Sequence, residues 1–440
     1  MVLAVPPEHW ATLQAVFAGE GVEATAIGHF TGDGQLRVRY DGQIVADLNC
    51  DFLHGGMPPR RLESVWEPSP RADMPASISS DADLSCLLER ALANPNVASK
   101  EAIVRQYDHE VQGRTVGKPF VGPLDIGPAD AAVLRPVAGS WRGVAVGCGI
   151  NPWYGEIDPY AMALLAVDEA LRNVVAVGAD PARTAILDNF CWGNPNLPDR
   201  LGGLVRAAQG CHDAAVAFRV PFISGKDSLF NEYRLADGTT HPIPGTLLIS
   251  AVGIVPDIRG AMSMHLKRIG NRVYIVGMTG DDLGGSLAQR LEGQRGGQAP
   301  IVHLKFARQT LGAVHRAIRK GFVQTCHDLS EGGLAVAAAE MAIAGGLGLE
   351  IDLAEMPVAD DALPDATRLF AESPTRFLVE VADDDAAAFE TLLRRTPRAK
   401  IGHVLEEPRF RVRSAGQLVV DRGLAELQAR WQTPLAEVTP

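Results

Sequence analysis

The chain has 440 residues, 46% hydrophobic and 21% charged, with a formal net charge of −12. That length suits two or three domains, each able to bury its own core. The negative balance excludes a general attraction to nucleic acid or an anionic membrane, and no apolar run reaches the roughly 18 residues of a membrane span.

In chain order, residues 1–50 predict strand VLAV, helix PEHWATLQAVFAGEG, strand TAIGHF and hairpin LRVRYDGQIVADL, with Asp41-Gly42 at its turn. Pro6 and Pro7 precede the helix, and Gly19 and Gly21 end it. The stretch 51–80 (GGMPPRR, EPSPRADMPAS) has linker composition. A helical segment, SCLLERALANPNVASKEAIVRQYD, follows. Between 120 and 255, strands AVLRPVA, RGVAVGCGI, ARTAILDNF, PFISG and GTLLISAVGIV accompany helices AMALLAVDEALRNVVAVGA and GGLVRAAQGCHDAAVAFRV. A new unit opens with strand NRVYIVGM and helix KFARQTLGAVHRAIRKG. It continues through loop CHDLSEGG, helix LAVAAAEMAIAGG and strand GLEIDL.

The tail then repeats the head. Strand RFLVEV, helix DDAAAFETLLRR, strand AKIGHVL and FRVRSAGQLVVD have the order of residues 1–50. At one constant offset, Ile27-Gly28-His29 matches Ile401-Gly402-His403, and Arg37-Val38-Arg39 matches Arg411-Val412-Arg413. Gly42, Gln43, Val45 and Asp47 match Gly416, Gln417, Val419 and Asp421. The chain therefore reads as the rear part of a longer tandem repeat.

Three constellations could carry chemistry. In PFISGKDSLFNEY a strand runs into Ser224-Gly225-Lys226-Asp227-Ser228. Glycine allows close backbone approach, lysine neutralises phosphate, aspartate can hold magnesium and serine can donate to an oxyanion. The alternative is a strand-to-turn with solvated polar groups, and the GxxxxGK[ST] spacing of a Walker A loop is absent. The second constellation is a carboxylate set: Asp188 ending an apolar strand, Glu169 and Asn173 on one helix face, Asp130, and Asp328 entering a helix. The third is His109, flanked by Asp108 and Glu110, with no nucleophile beside it. Cys326-His327-Asp328 is discounted as a cysteine hydrolase, because adjacent residues do not face one another. Cysteines 50, 86, 148, 191, 211 and 326 show no CxxC spacing and read as reduced thiols of a cytoplasmic protein. The start MVLAVPPEHW has no signal-peptide pattern.

Lys100–Gly113, Asn151–Ala179, Asp188–Pro195, Pro221–Tyr233 and His327–Leu353 together resemble phosphoribosylformylglycinamidine synthase. The resemblance implies an α/β (α+β) fold with aminoimidazole ribonucleotide synthetase-like N- and C-terminal domains, preceded by a partial C-terminal domain. The implied boundaries are 1–66 for a remnant of the first-copy C-terminal domain, 67–84 for a linker, 85–260 for the second-copy N-terminal domain and 261–440 for its C-terminal domain. It implies an ATP-dependent C–N ligase of de novo purine biosynthesis that converts formylglycinamide ribonucleotide to the amidine with ATP, Mg²⁺ and ammonia. It also implies an N-terminal half, which carries the catalytic histidine, and a glutaminase subunit as partners, with no nucleic acid or membrane. An uncovered sheet face implies a homodimer or heteromer.

By the same resemblance Asp188 and Gly225 contact ATP, Ser228 contacts the substrate phosphate, and no residue of this chain is a certain catalyst. Lys226 stands where the small enzyme form has a magnesium-binding asparagine, a departure from that form's metal pattern; Lys226 and Asp227 are candidates for phosphate or metal. An auxiliary nucleotide site maps to Lys100 and Asp130 for ATP and to Asp130, Glu169, Asn173 and Asp328 for metal. Pro128-Ala129-Asp130 departs from the usual Gly-Asp before Ala-Ala-Val. The alternatives are a non-catalytic nucleotide-binding scaffold or another ATP-using member of the superfamily, and DNFCWGNP and RQYDHEVQG disfavour the latter.

Overall fold

The computed structural model describes residues 1–79 and 82–436; residues 80–81 of the expected linker lie outside the described residues. The chain divides into two compact units, Met1–Leu62 and Glu63–Pro440.

In the first unit a 3₁₀ turn, Pro7–His9, leads into α1 (Trp10–Gly19). Strands β1 (Gln35–Tyr40) and β2 (Gln43–Asn49) form the expected antiparallel hairpin. Asp41 and Gly42 have φ of 46° and 76°, the left-handed pair that matches a two-residue turn to strand twist. Helix α2 (Cys50–Gly55) starts at Asn49, whose Oδ1 accepts from Asp51 N at 2.8 Å. The expected strands VLAV and TAIGHF do not form; residues 1–6 and 22–30 lack regular structure. A strand needs a neighbour for its backbone groups, and this unit offers those segments none. No residue of the unit is buried.

The second unit opens with α3 (Leu84–Leu92) and α4 (Glu101–Val104). The single helix expected over 85–108 is thus split, because Pro95 in Asn94-Pro95-Asn96 has no amide hydrogen and clashes with a preceding turn.

Around 115–255 the strands are β3 (Thr115–Gly117), β4 (Phe120–Val121), β5 (Gly127–Pro128), β6 (Ala132–Leu134) and β7 (Gly143–Ile150). They are followed by β8 (Thr184–Cys191), β9 (Phe222–Ser228), β10 (Glu232–Arg234), β11 (Thr240–Pro242) and β12 (Thr246–Val255). Six of them form one sheet in the order β3-β6-β7-β12-β8-β9, with β8 and β9 parallel. Helices α5 (Pro152–Gly155), α6 (Pro159–Ala176) and α7 (Pro198–Phe218) connect them. Alternation along the strands sends Ile186, Leu247, Ile249 and Ala251 into a core shared with α6 and α7. It leaves Leu134, Val146, Ile150 and Ile223 exposed.

The remaining strands are β13 (Arg272–Val276), β14 (Thr325–Asp328), β15 (Gly348–Asp352), β16 (Phe377–Val381), β17 (Arg398–Leu405), β18 (Arg409–Ser414) and β19 (Gln417–Gly423). They form one seven-stranded sheet in the order β14-β16-β13-β17-β15-β18-β19. Its helices are α8 (Leu287–Leu291), α9 (Leu304–Arg319), α10 (Gly333–Gly345), α11 (Asp365–Phe370), α12 (Ala386–Leu392) and α13 (Leu424–Ala436). The expected loop CHDLSEGG is corrected at its start: Cys326, His327 and Asp328 end β14, hydrogen-bonded to β16 and buried. Their polar letters hid a strand whose side chains find partners inside the protein. Helix α13 had no sequence signal strong enough to predict it. Its Trp431 Nε1 donates to Val97 O at 2.9 Å and anchors the end of the chain beside α4.

Candidate functional site

Helix α6 presents Asp168, Glu169, Arg172 and Asn173 over one turn, toward the end of β7 and the loop after β14. The Arg172 guanidinium bonds both Asp168 and Asp328, with Nη2 3.2 Å from Asp328 Oδ2. Asp168 also accepts from Thr375 N at 2.9 Å and Thr375 Oγ1 at 2.6 Å. These side chains are fully or almost fully buried, and a buried charge survives only when paired in this way.

His327 faces carboxylates on both sides, with Nδ1 2.7 Å from Asp130 Oδ1 and Nε2 3.2 Å from Glu340 Oε2. Burial alone would lower the pKa of its ring, but the charge of Asp130 and the two hydrogen bonds outweigh it and raise that pKa well above the usual value. Both ring nitrogens of His327 thus lie within hydrogen-bonding distance of a carboxylate. Asp130 Oδ1 accepts additionally from Asp328 N at 3.0 Å, while its Oδ2 is buried without a partner. Asp130, His327 and Asp328 each offer one ligand atom, all within 4.8 Å of one another. An orphaned carboxylate oxygen in such a donor set fits a cation, although Arg172 and His327 already supply part of the neutralisation.

Glu169 Oε2 accepts from Ile150 N at 2.9 Å, and Asn173 Nδ2 donates to Cys148 O at 2.8 Å. Burial pushes Glu169 up to about 8, with Arg172 opposing. Lys100 Nζ donates to Asn96 O at 3.1 Å and Ala98 O at 2.6 Å, and burial lowers its pKa, with Glu340 and Glu331 opposing. The structure thus gathers Asp130 and Asp328 directly and sets Glu169 on the adjoining turn. It ties Asn173 and Lys100 to backbone carbonyls. Sequence reading missed Asp168, Arg172, Glu340 and Thr375. The i, i+4 spacing of Asp168 and Arg172 was the one signal that could have exposed a pair.

The other candidates lie on the far side of the same sheet. Asp188 on β8 sits opposite Gly225 on β9 in parallel register. A β-carbon at Gly225 would lie 1.7 Å from Asp188 Oδ1, so glycine is what lets that carboxylate turn across the strand edge. Burial raises the pKa of Asp188, and the charge of Asp227 adds to the shift. Lys226 Nζ donates to Ser228 Oγ, and Lys226 and Asp227 are exposed. The Cys326-His327-Asp328 run, discounted as a nucleophile in the sequence, has a fully buried Cys326, and that burial raises its thiol pKa well above the usual value. His109 is isolated in a loop, its Nδ1 buried without a partner. A groove of about 540 Å³ along α7, lined by Tyr160, Arg206, His212 and Asp213 among others, contains no residue of either set.

Residues 128–255 match the AIR synthase related protein, N-terminal domain, and residues 268–415 match the C-terminal domain of the same family. The chain belongs to the AIR synthase related family. Both domains of that family are present in order, one built on the six-stranded sheet and the other on the seven-stranded sheet.

Within this family the chain is similar to phosphoribosylformylglycinamidine synthase subunit PurL of Deinococcus radiodurans, 36% identical over 99% of this chain and 57% of that protein. The PurL subunit of Methanothrix thermoacetophila is 36% identical over 85% of this chain and 47% of its own length. The chain therefore spans about half the length of the curated relatives it matches. Among solved structures, T. maritima PurL complexed with FGAR shares the fold with a TM-score of 0.62 at 20% identity, covering 79% of this chain and 53% of that one. T. maritima PurL complexed with ADP gives a TM-score of 0.60 at 20% identity, over 80% of this chain and 52% of that one.

Proposed function

We propose that this chain is the C-terminal half of the synthetase component of phosphoribosylformylglycinamidine synthase, an ATP-dependent amidoligase of purine biosynthesis. The observation that carries the reading is the 36% identity to a named synthase subunit over 99% of the chain. In this reading residues 1–66 belong to the first copy of the repeat, 67–84 link, and 85–260 and 261–440 are the two domains of the second copy. The amide oxygen of formylglycinamide ribonucleotide attacks the γ-phosphorus of ATP, ADP leaves, ammonia adds to the activated carbon, and phosphate departs with loss of a proton. Such chemistry needs positioning and charge neutralisation more than a protein nucleophile.

In this reading the chain's residues take the roles that the resemblance implies. Asp188 and Gly225 form an edge against which ATP is bound, Ser228 holds the substrate phosphate, and exposed Lys226 and Asp227 stand beside it for phosphate or metal. Asp130, Glu169, Asn173 and Asp328, with Lys100, form a second nucleotide site in which Mg²⁺ would offset phosphate charge. The exposed apolar face around Val146 and Ile150 is the surface for a homodimeric or heteromeric partner, the N-terminal half, and a glutaminase subunit supplies ammonia to the assembly. The reading puts the protein in the cytoplasm. No described helix is long and apolar enough to cross a membrane.

A scaffold role for the second nucleotide site is favoured by one observation: Arg172 and His327 already neutralise its carboxylates, which suits holding a ligand over turning it over. The test is to assay amidine formation from ATP, ammonia and substrate with the purified chain alone and after adding an N-terminal half. Turnover only in the mixture is expected. Turnover by the isolated chain would refute the composite site, and none in either case would leave the scaffold.

A further inference from the structure

The hairpin β1–β2 is a replica of β18–β19 in every local respect. Both have a bulge after the matched valine, between Val38 and Arg39 and between Val412 and Arg413. Both turn through a left-handed pair, Asp41-Gly42 and Ala415-Gly416. Arg37 lies 3.4 Å from Asp47 and also pairs with Asp33, as Arg411 lies 3.6 Å from Asp421 and pairs with Glu407.

The replica fails only where β15 would be. Strand β15 lies between β18, to which it is parallel, and β17, to which it is antiparallel. It sets Leu349 and Ile351 opposite Phe410 and Val412, which are 0% exposed, whereas the matching Leu36 and Val38 are each 46% exposed. It brings Glu350 Oε1 to 3.2 Å from Arg413 Nε, whereas Arg39 has no ionic partner among the described residues. It also passes so close to Gly402 that a β-carbon there would lie 2.2 Å from Glu350 O, whereas Gly28 has nothing within 4 Å. Leu36, Val38, Arg39 and Gly28 are therefore all suited to one absent neighbour.

We propose that a strand from the rest of the first repeat inserts between Ile27–His29 and β1. It runs parallel to β1 and antiparallel to 27–29, with apolar residues opposite Leu36 and Val38 and an acid facing Arg39. The backbone groups of residues 27–29 and the outer edge of β1 supply the ladder, and the alternation supplies the specificity. The proposal rests on the half-synthase reading for the identity of the partner, but its test reads strand pairing and not turnover.

The probe is the full chain with this protein's own residues 346–353, GLGLEIDL, which contain β15, tethered ahead of Met1 by a flexible Gly/Ser linker, which gives an effective concentration in the millimolar range. Hydrogen exchange of residues 27–40 is expected to slow by on the order of tenfold or more relative to the untethered chain. Gly28→Val should abolish that protection and leave the untethered chain unchanged. Arg39→Glu should reduce it about threefold, and lysine in place of the tethered glutamate should restore it. Exchange over 27–40 that is equal with and without the strand would overturn the proposal. So would protection that survives Gly28→Val.

Discussion

His327 Nδ1 lies 2.7 Å from Asp130 Oδ1, which joins the loop before β6 to the end of β14. The contact orients Asp130 so that one oxygen is committed to protein donors and the other is left bare. In the proposed reading that bare oxygen is the metal ligand. Calorimetric titration with ATP and Mg²⁺ should show binding to the isolated chain, weakened on the order of tenfold or more by Asp130→Ala and by Glu169→Gln. Undiminished binding in both variants would remove the second nucleotide site.

Arg172 bridges Asp168 and Asp328 and so joins the layer of α6 to the seven-stranded sheet. Arg172→Ala leaves two buried carboxylates without their shared cation. The expected loss is about 3–5 kcal/mol of unfolding free energy, read from urea denaturation with an unchanged m-value. Arg172→Lys cannot span both acids and should recover only part of it.

Gly225 and Asp188 make a prediction with the opposite profile. Gly225→Ala places a methyl group on the Asp188 carboxylate, at a position where the strand is exposed. ATP affinity of the assembled synthase should fall on the order of tenfold while the melting temperature of the chain moves little. A large drop in melting temperature would assign Gly225 a packing role instead.

Glu372 accepts from Tyr154 OH, from Leu287 N at 2.7 Å and from Gly332 N at 2.9 Å, and burial, with Glu331 adding to it, pushes its carboxyl up to about 7. A folded pKa above the unfolded value means that the native state holds the proton more tightly. Stability from this group is present below the unfolded pKa near 4.5 and is lost as pH rises through about 7. Glu372→Gln keeps the acceptor and removes the ionisation. It should flatten that part of the stability–pH profile and raise stability above pH 7 by on the order of 2 kcal/mol.

How much of this was legible depends on where each signal lies in the chain. Strands β7, β8 and β12 and helices α6, α7 and α9 were readable because their apolar periodicity is local and long. β14 looks like loop in the sequence because Cys326-His327-Asp328 is polar, and only the fold brings Asp130 and Glu340 to His327. TAIGHF has the letters of a strand, as AKIGHVL does, but the letters encode a preference and the neighbour supplies the strand. At the candidate site, Asp130 and Asp328 are visible as acids, whereas Arg172 shows in sequence only its i, i+4 spacing to Asp168, and its bond to Asp328 is recognisable only from the fold.

The two matched hairpins give the molecule an internal standard. β1–β2 reports what turn, bulge and ion pairs achieve without a packed neighbour, and β18–β19 reports the same local chemistry with one. The ratio of amide exchange rates at Val38 and Val412, measured in one sample, therefore separates the tertiary share of hairpin stability from the local share without any mutation.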